Sequence, residues 1–272
     1  MTIDNSFMIK KFQKFDSVFV LFSAVANVPF IECDDQTYDD QVYVFSDEKD
    51  LQRYAQIYTK EKYALKGVNY PRAQLSKLFE QLYCLGVDTL QVVDGGAPVT
   101  VKLADLAEPP AYPNLPNPEI PTMNPELQLS AAYFMQELRR PVERDTKEKK
   151  RLRELEEEMA VNLMRSKFIV VFDITQVKGK WKPGEKTNKL RIPLVKNKSG
   201  KTFQPVYTDF SEFRRFSEKN RGMRMGIQVV DYDLLAKMLA KGADGFVFNP
   251  GGFNMVLSRG QLERMKERYG EN

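Results

Sequence analysis

The sequence predicts an α+β fold made of two tandem repeats, each a mixed β-sheet of about five strands with packed helices. An internal repeat, a proline-rich break between its copies, and short apolar runs alternating with segments of helical period predict it. Val44, Phe45, Ser46, Asp47, Leu51, Arg53 and Tyr54 recur as Val206, Tyr207, Thr208, Asp209, Phe213, Arg215 and Phe216, a constant offset of 162. Gly86, Asp88, Gly95 and Gly96 recur as Gly242, Asp244, Gly251 and Gly252 at 156, and VFVLF from Val18 parallels FIVVF from Phe168 at 150. Seven prolines between Glu108 and Pro125 exclude a helix or inner strand there. The chain therefore reads as a degenerate first copy at 1–107, a proline-rich linker at 108–124 and a second copy at 125–272.

The second copy opens on two helices. Asn124 suits an N-cap with Pro125 at the first helical position, and Thr146 to Ser166 carries Leu152, Leu155, Met159 and Leu163 at helical spacing. Strands follow at Phe168–Phe172, about Lys189–Leu194, Phe203–Tyr207, Gly245–Phe248 and Phe253–Leu257. Helices are expected at about Phe210–Asn220 and Tyr232–Lys241, and a last one from Ser258, which has capping-box spacing to Gln261.

The corner between Tyr207 and Phe210 places Thr208 or Asp209 at a helix N-cap, with Glu212 at capping-box spacing from Asp209. Asn249-Pro250-Gly251-Gly252 has the residues of a type II turn, and Asp94-Gly95 suits a two-residue hairpin turn. Turn and cap chemistry accounts for both pieces. The functional alternative is a small-ligand cleft in which Tyr207, Thr208, Asp209, Asn249 and Asn254 converge, with Gly251 and Gly252 allowing close backbone approach. Of the Tyr207 corner, only the hydroxyl, where the first copy has Phe45, is not required by a strand-to-helix turn.

The 272 residues contain no histidine, which excludes a histidine-based triad, imidazole acid–base catalysis and most zinc sites. Cys33 and Cys84 have no metal or redox spacing and suit a reducing compartment. The phosphate-binding glycine patterns are missing, so no metal or cofactor is expected. No apolar run approaches the ~20 residues of a membrane span, and the amino terminus lacks secretory-signal character.

The net charge of +4 hides an asymmetry: residues 1–106 hold 11 basic and 15 acidic residues, residues 160–272 hold 22 and 11. The bases concentrate in Lys178 to Lys201, expected as an exposed hairpin, with one acid (Glu185) and the sole tryptophan, Trp181. The matching stretch of the first copy, IECDDQTYDDQ, is acidic. The basic hairpin 178–201 can serve solubility, bind RNA or DNA with Trp181 stacking on a base, or meet an acidic protein surface. Scattered lysines with one interleaved aromatic rank the protein partner above nucleic acid.

Pro205–Asp209 with Phe213, followed by Asn249–Gly252, resembles the amino-terminal domain of the SseB family (enhanced serine sensitivity protein B). The resemblance covers about Asn124 to Arg268, and the first copy in outline. It implies a bacterial cytoplasmic α+β protein with no established enzymatic activity. The enteric pattern carries a different carboxy-terminal domain, whereas here the sequence reads as the same domain twice. The expectation is a non-catalytic interaction module whose partner is a protein, acidic or a second copy, met through Trp181, Lys180, Lys182 and the corner residues.

Overall fold

The computed structural model describes residues 5–111, 122–185 and 187–269. Most of the expected linker, 112–121, lies outside the described residues. The chain divides into two compact units, Met1–Ala111 with Ala132–Leu152, and Tyr112–Ala131 with Arg153–Asn272. Among the described residues the N-terminal part runs α1 (Ser6–Phe12), β1 (Ser17–Ser23), β2 (Val28–Pro29), β3 (Glu32–Cys33), β4 (Asp40–Phe45), α2 (Glu48–Lys60), β5 (Leu65–Pro71), α3 (Leu75–Leu85), β6 (Thr89–Val93) and β7 (Val99–Lys102). Helices α4 (Pro125–Leu138) and α5 (Thr146–Arg165) follow. The rest is β8 (Lys167–Asp173), β9 (Val195–Lys196), β10 (Thr202–Tyr207), α6 (Phe210–Lys219), β11 (Met225–Asp231), α7 (Tyr232–Lys237), β12 (Gly245–Phe248), β13 (Met255–Ser258) and α8 (Arg259–Tyr269).

Each unit contains one mixed sheet, and the two have the same plan. In the first, β5-β1-β4-β6-β7 are neighbours, with only β4 and β6 parallel; in the second, β11-β8-β10-β12-β13 are neighbours, with only β10 and β12 parallel. Short strands add to these: β2 on β1, β3 on β4 and, in the second sheet, β9 on β10. The registers also correspond. Phe19↔Phe45 becomes Ile169↔Tyr207, and Val44↔Val92 becomes Val206↔Phe248, the offsets being those read from the sequence. The strands of the parallel pair are covered on both faces: β6 and β12 are buried throughout, the polar Thr89 and Gln91 of β6 included. Leu21, Phe45, Leu51 and Tyr58 form one core; Ile169, Val171, Tyr207 and Phe213 form the other.

Three local expectations are corrected. Lys189–Leu194 is not a strand; it touches the sheet by a single bridge, Asp173↔Arg191, because Pro193 has no N–H to continue a ladder. The basic segment is consequently a series of turns ending in the short β9–β10 hairpin. A strand between the helices, β11, was not expected, nor its counterpart β5. Helix α7 stops at Lys237, four residues early, and the Ala240 N–H donates to the buried Gln204 Oε1 (2.8 Å) instead of extending the helix.

Candidate functional site

The corner after β10 is built from its N-cap outward. Asp209 Oδ1 accepts the Glu212 N–H (2.9 Å), the expected cap, and Asp47 caps α2 in the same way through the Lys49 N–H. Asp209 Oδ2 accepts the Thr208 hydroxyl (2.9 Å) and the Gln128 amide of α4. Asn249 completes a closed loop: its Oδ1 accepts the Thr208 N–H (3.0 Å) and its Nδ2 donates to Thr208 Oγ1 (2.7 Å). Asn124 does not cap α4 with its side chain; its Nδ2 instead donates to the backbone carbonyls of Lys167 (2.7 Å) and Thr208 (2.5 Å). Thr208, Asp209 and Asn249 are fully buried. Burial pushes the Asp209 carboxyl up, against the Glu212 N–H and Thr208 hydroxyl that favour its charge.

These side chains therefore converge on one another, and a ligand reaching Thr208, Asp209 or Asn249 would have to displace satisfied buried hydrogen bonds. The turn that carries Asn249 closes as expected, with the Gly252 N–H donating to the Asn249 carbonyl (2.9 Å). It is not type II, because Gly251 lacks the positive φ that type requires; Asn249 (φ 45) and Asn254 (φ 50) take the left-handed positions instead. In the first unit the β6–β7 connection is likewise longer than two residues, since the innermost pair is Val92↔Val99.

Glu212 does not complete the capping box. Its Oε1 pairs with Arg215 (2.9 Å), and a Cβ on Gly252 would stand 3.0 Å from both carboxylate oxygens, so a side chain at that turn position would require the Glu212 carboxylate to shift. Its Oε2 has no hydrogen-bond partner among the described residues, and burial pushes the carboxyl up to about 7. The first unit repeats the constellation with a shorter acid: Asp50 pairs with Arg53 (3.0 Å) and accepts the Gly95 N–H (3.0 Å). The Tyr207 ring packs on Phe213 and Phe216, with centroids 6.0 and 5.5 Å away, and its buried hydroxyl is also without a partner among the described residues. Burial, then the Glu212 charge, raises its pKa.

The lysine-rich segment lies at the opposite end of β8 from Thr208. Trp181 packs on Phe172 (centroids 5.4 Å), and its ring occupies the space a Cβ on Gly226 would need. Its indole N–H donates to the Glu185 carbonyl (3.2 Å), and Arg224 donates to the carbonyls of Val177 (2.9 Å) and Gly179 (2.8 Å). Trp181 thus anchors the segment to β11, while Lys178, Lys180, Lys182, Lys189, Lys196, Lys198 and Lys201 are exposed. None of these lysines forms an ion pair among the described residues, and Lys186 lies outside them. The structure does not bring Trp181, Lys180 and Lys182 together with the corner, and it leaves Asn254 exposed beside the turn. Gln128 of α4 and Asn124 just before it close the network from far along the chain; Asn124 is legible only as a cap for α4, and Gln128 has no local sequence signal.

Residues 147–264 match the family model described as SseB protein N-terminal domain. This part of the chain is similar to the SseB amino-terminal domain. The corner, the Asn249–Gly252 turn and the lysine-rich segment all lie inside the SseB match. A comparison with curated proteins returns no match. Among solved structures the chain is similar to Tic22 from Plasmodium falciparum, at 14% identity over 97% of this chain and 99% of that one, with a TM-score of 0.21. It is also similar to Anabaena Tic22 (protein transport), at 9% identity over 83% of this chain and 81% of that one, with a TM-score of 0.20. Scores this low carry no argument beyond the SseB match. No helix among the described residues is long and apolar enough to cross a membrane.

Proposed function

We propose that the chain is a non-catalytic interaction module of the bacterial cytoplasm, and that its SseB-type domain engages an acidic protein surface through Lys178–Lys201. On this reading the N-terminal unit is a diverged copy of the same domain, since it shares strand order, sense and register. The observation that carries the proposal is the contrast between the two groups of candidate residues. Thr208, Asp209 and Asn249 are hydrogen-bonded to one another and to the backbone, whereas the lysines stand exposed and, among the described residues, without ion pairs on a segment anchored by Trp181. Anchoring lowers the conformational cost of binding, and a field of one sign steers a partner of the other. With its ring against Phe172 and Gly226, Trp181 supports packing over base stacking, which favours a protein over nucleic acid.

The test is affinity capture from native lysate at low and high salt, comparing the wild-type chain with one in which the exposed lysines of 178–201 are replaced by glutamine. A protein retained by the wild type at low salt and lost from the variant is the expected outcome. An identical retained set for both chains would remove the segment from any binding role.

A further inference from the structure

The two units share a hairpin whose charge is inverted between them. β3 leads into β4 as β9 leads into β10, with Cys33↔Asp40 in one place and Lys196↔Thr202 in the other. Both turns start on a residue whose side-chain oxygen gathers backbone N–H groups: Asp34 takes those of Gln36 and Thr37 (2.8 Å each), and Asn197 those of Ser199 and Lys201 (3.0 Å each). Both are closed by the same backbone bond, from Asp34 N–H to the Asp39 carbonyl (3.0 Å) and from Asn197 N–H to the Lys201 carbonyl (2.9 Å), and in each the left-handed residue donates back to the first, Tyr38 N–H to the Asp34 carbonyl (2.9 Å) and Gly200 N–H to the Asn197 carbonyl (3.1 Å). On this common frame one hairpin carries Asp34, Asp35, Asp39 and Asp40 and no base; the other carries Lys196, Lys198 and Lys201 and no acid. Among the described residues none of the seven is in an ion pair.

One further residue separates the two. Gly200 (φ 83) holds the left-handed position of the basic turn, and Tyr38 (φ 60) holds it in the acidic one. A tyrosine there is disfavoured relative to glycine, yet the residue is 79% exposed and so contributes little packing within its own unit. An exposed aromatic set among carboxylates has the make-up of an interface anchor with a charged rim. The field of those carboxylates is felt locally: after partial burial, Asp40, Asp35, Asp34 and Asp39 hold the Cys33 thiol above its ordinary range.

We propose that the two hairpins are mates between molecules: the Tyr38 hairpin of one copy docks on the Lys196–Lys201 hairpin of a second copy, so that the chain self-associates head to tail. The inference rests on the reading that the lysine-rich segment meets an acidic protein surface, and it names that surface. Opposite charges on equivalent hairpins supply the complementarity, and Tyr38 supplies the apolar contact. Each copy offers one hairpin of each kind, so every contact formed leaves a free mate for the next molecule or for a closed pair.

The test is the mass of the full chain by sedimentation velocity at about 0.05 M and about 0.5 M salt, a range that shortens the screening length severalfold. Wild type is expected above monomer mass at low salt and at monomer mass at high salt. Asp35→Lys with Asp39→Lys, and separately Lys196→Glu with Lys198→Glu and Lys201→Glu, each weaken association at least about tenfold. Mixing the two variants restores it, because the first keeps the native Lys196–Lys201 hairpin and the second keeps the native Tyr38 hairpin. Tyr38→Gly weakens association about tenfold or more without lowering the melting temperature, which separates lost contact from lost fold. Monomeric wild type at low salt overturns the proposal, as does failure of the mixture to associate. If the wild type is monomeric while lysine replacement still releases a different captured protein, the acidic-partner reading survives and only self-docking is lost.

Discussion

A single methylene separates how the two units use the acid in the first turn of the corner helix. Asp50 is short enough to accept the Gly95 N–H while pairing with Arg53. Glu212 reaches further, pairs with Arg215 and leaves Oε2 buried against the Gly251–Gly252 turn. Burial, with the nearby Asp209 charge, raises its carboxyl from 4.5 to about 7, against the opposing effects of Arg215 and Lys219. The folded chain therefore binds this proton more tightly than the unfolded chain between those two values. The resulting stability is fully present below the unfolded value and is lost as pH rises to about 7. Glu212→Gln removes this titration. Denaturant unfolding at pH 4.5 and pH 7.5 should show wild type losing about 1–3 kcal/mol relative to the variant across that interval. An unchanged difference at the two pH values would mean that Glu212 titrates as it does in the unfolded chain.

At the scale of elements, β11 and the lysine-rich segment belong together. Met225, Ile227 and Val229 alternate toward the core, but Gly226 and Gln228 interrupt the apolar run, so its period is weak in the sequence. Gly226 is where Trp181 rests, the Cβ position lying 2.6 Å from the ring. Gly226→Ala should expel the indole, and because Trp181 is the only tryptophan its emission reports the event directly. The expected result is a red shift with the far-ultraviolet circular dichroism retained and a melting temperature a few degrees lower, about 1–2 kcal/mol. Unaltered emission would show that the segment is not anchored there. The same pair shows what was legible in the chain. Strands β8, β10 and β12 and helices α6 and α8 follow from apolar runs, helical spacing and caps that act within four residues, and the Ser258–Gln261 box forms as read. Leu190, Ile192 and Leu194 alternate without making a strand, because Pro193 breaks the ladder and Trp181 and Arg224 hold the segment by side chains. Thr208, Asp209 and Asn249 were legible as corner and turn, but their closure was not, since Gln128 reaches them from α4 and Asn124 from the residue before it.

At the scale of the whole molecule, the two units are one sheet plan with different loops on it. Strand order, sense and register repeat under the offsets of the sequence, while the β8–β10 connection is 12 residues longer than β1–β4 and the β3–β4 and β9–β10 turns differ by one residue and in the sign of their charge. If the frame is common, the loops should be portable. The six residues Asp34–Asp39 and the five residues Asn197–Lys201 both start on an Asx side chain, reach a left-handed residue one before the end, and close with the same backbone bond. Replacing Asp34–Asp39 by Asn-Lys-Ser-Gly-Lys should therefore leave a cooperatively folded chain. Its melting temperature should stay within about 3 °C of wild type or rise, because glycine relieves the left-handed tyrosine. Calorimetry with far-ultraviolet circular dichroism checks this. A broad, non-cooperative transition would show that the matching registers do not define an interchangeable hairpin. A folded graft that also loses salt-sensitive self-association would separate the two contributions of the acidic hairpin: the frame keeps the sheet, and the Tyr38 turn chooses what the sheet meets.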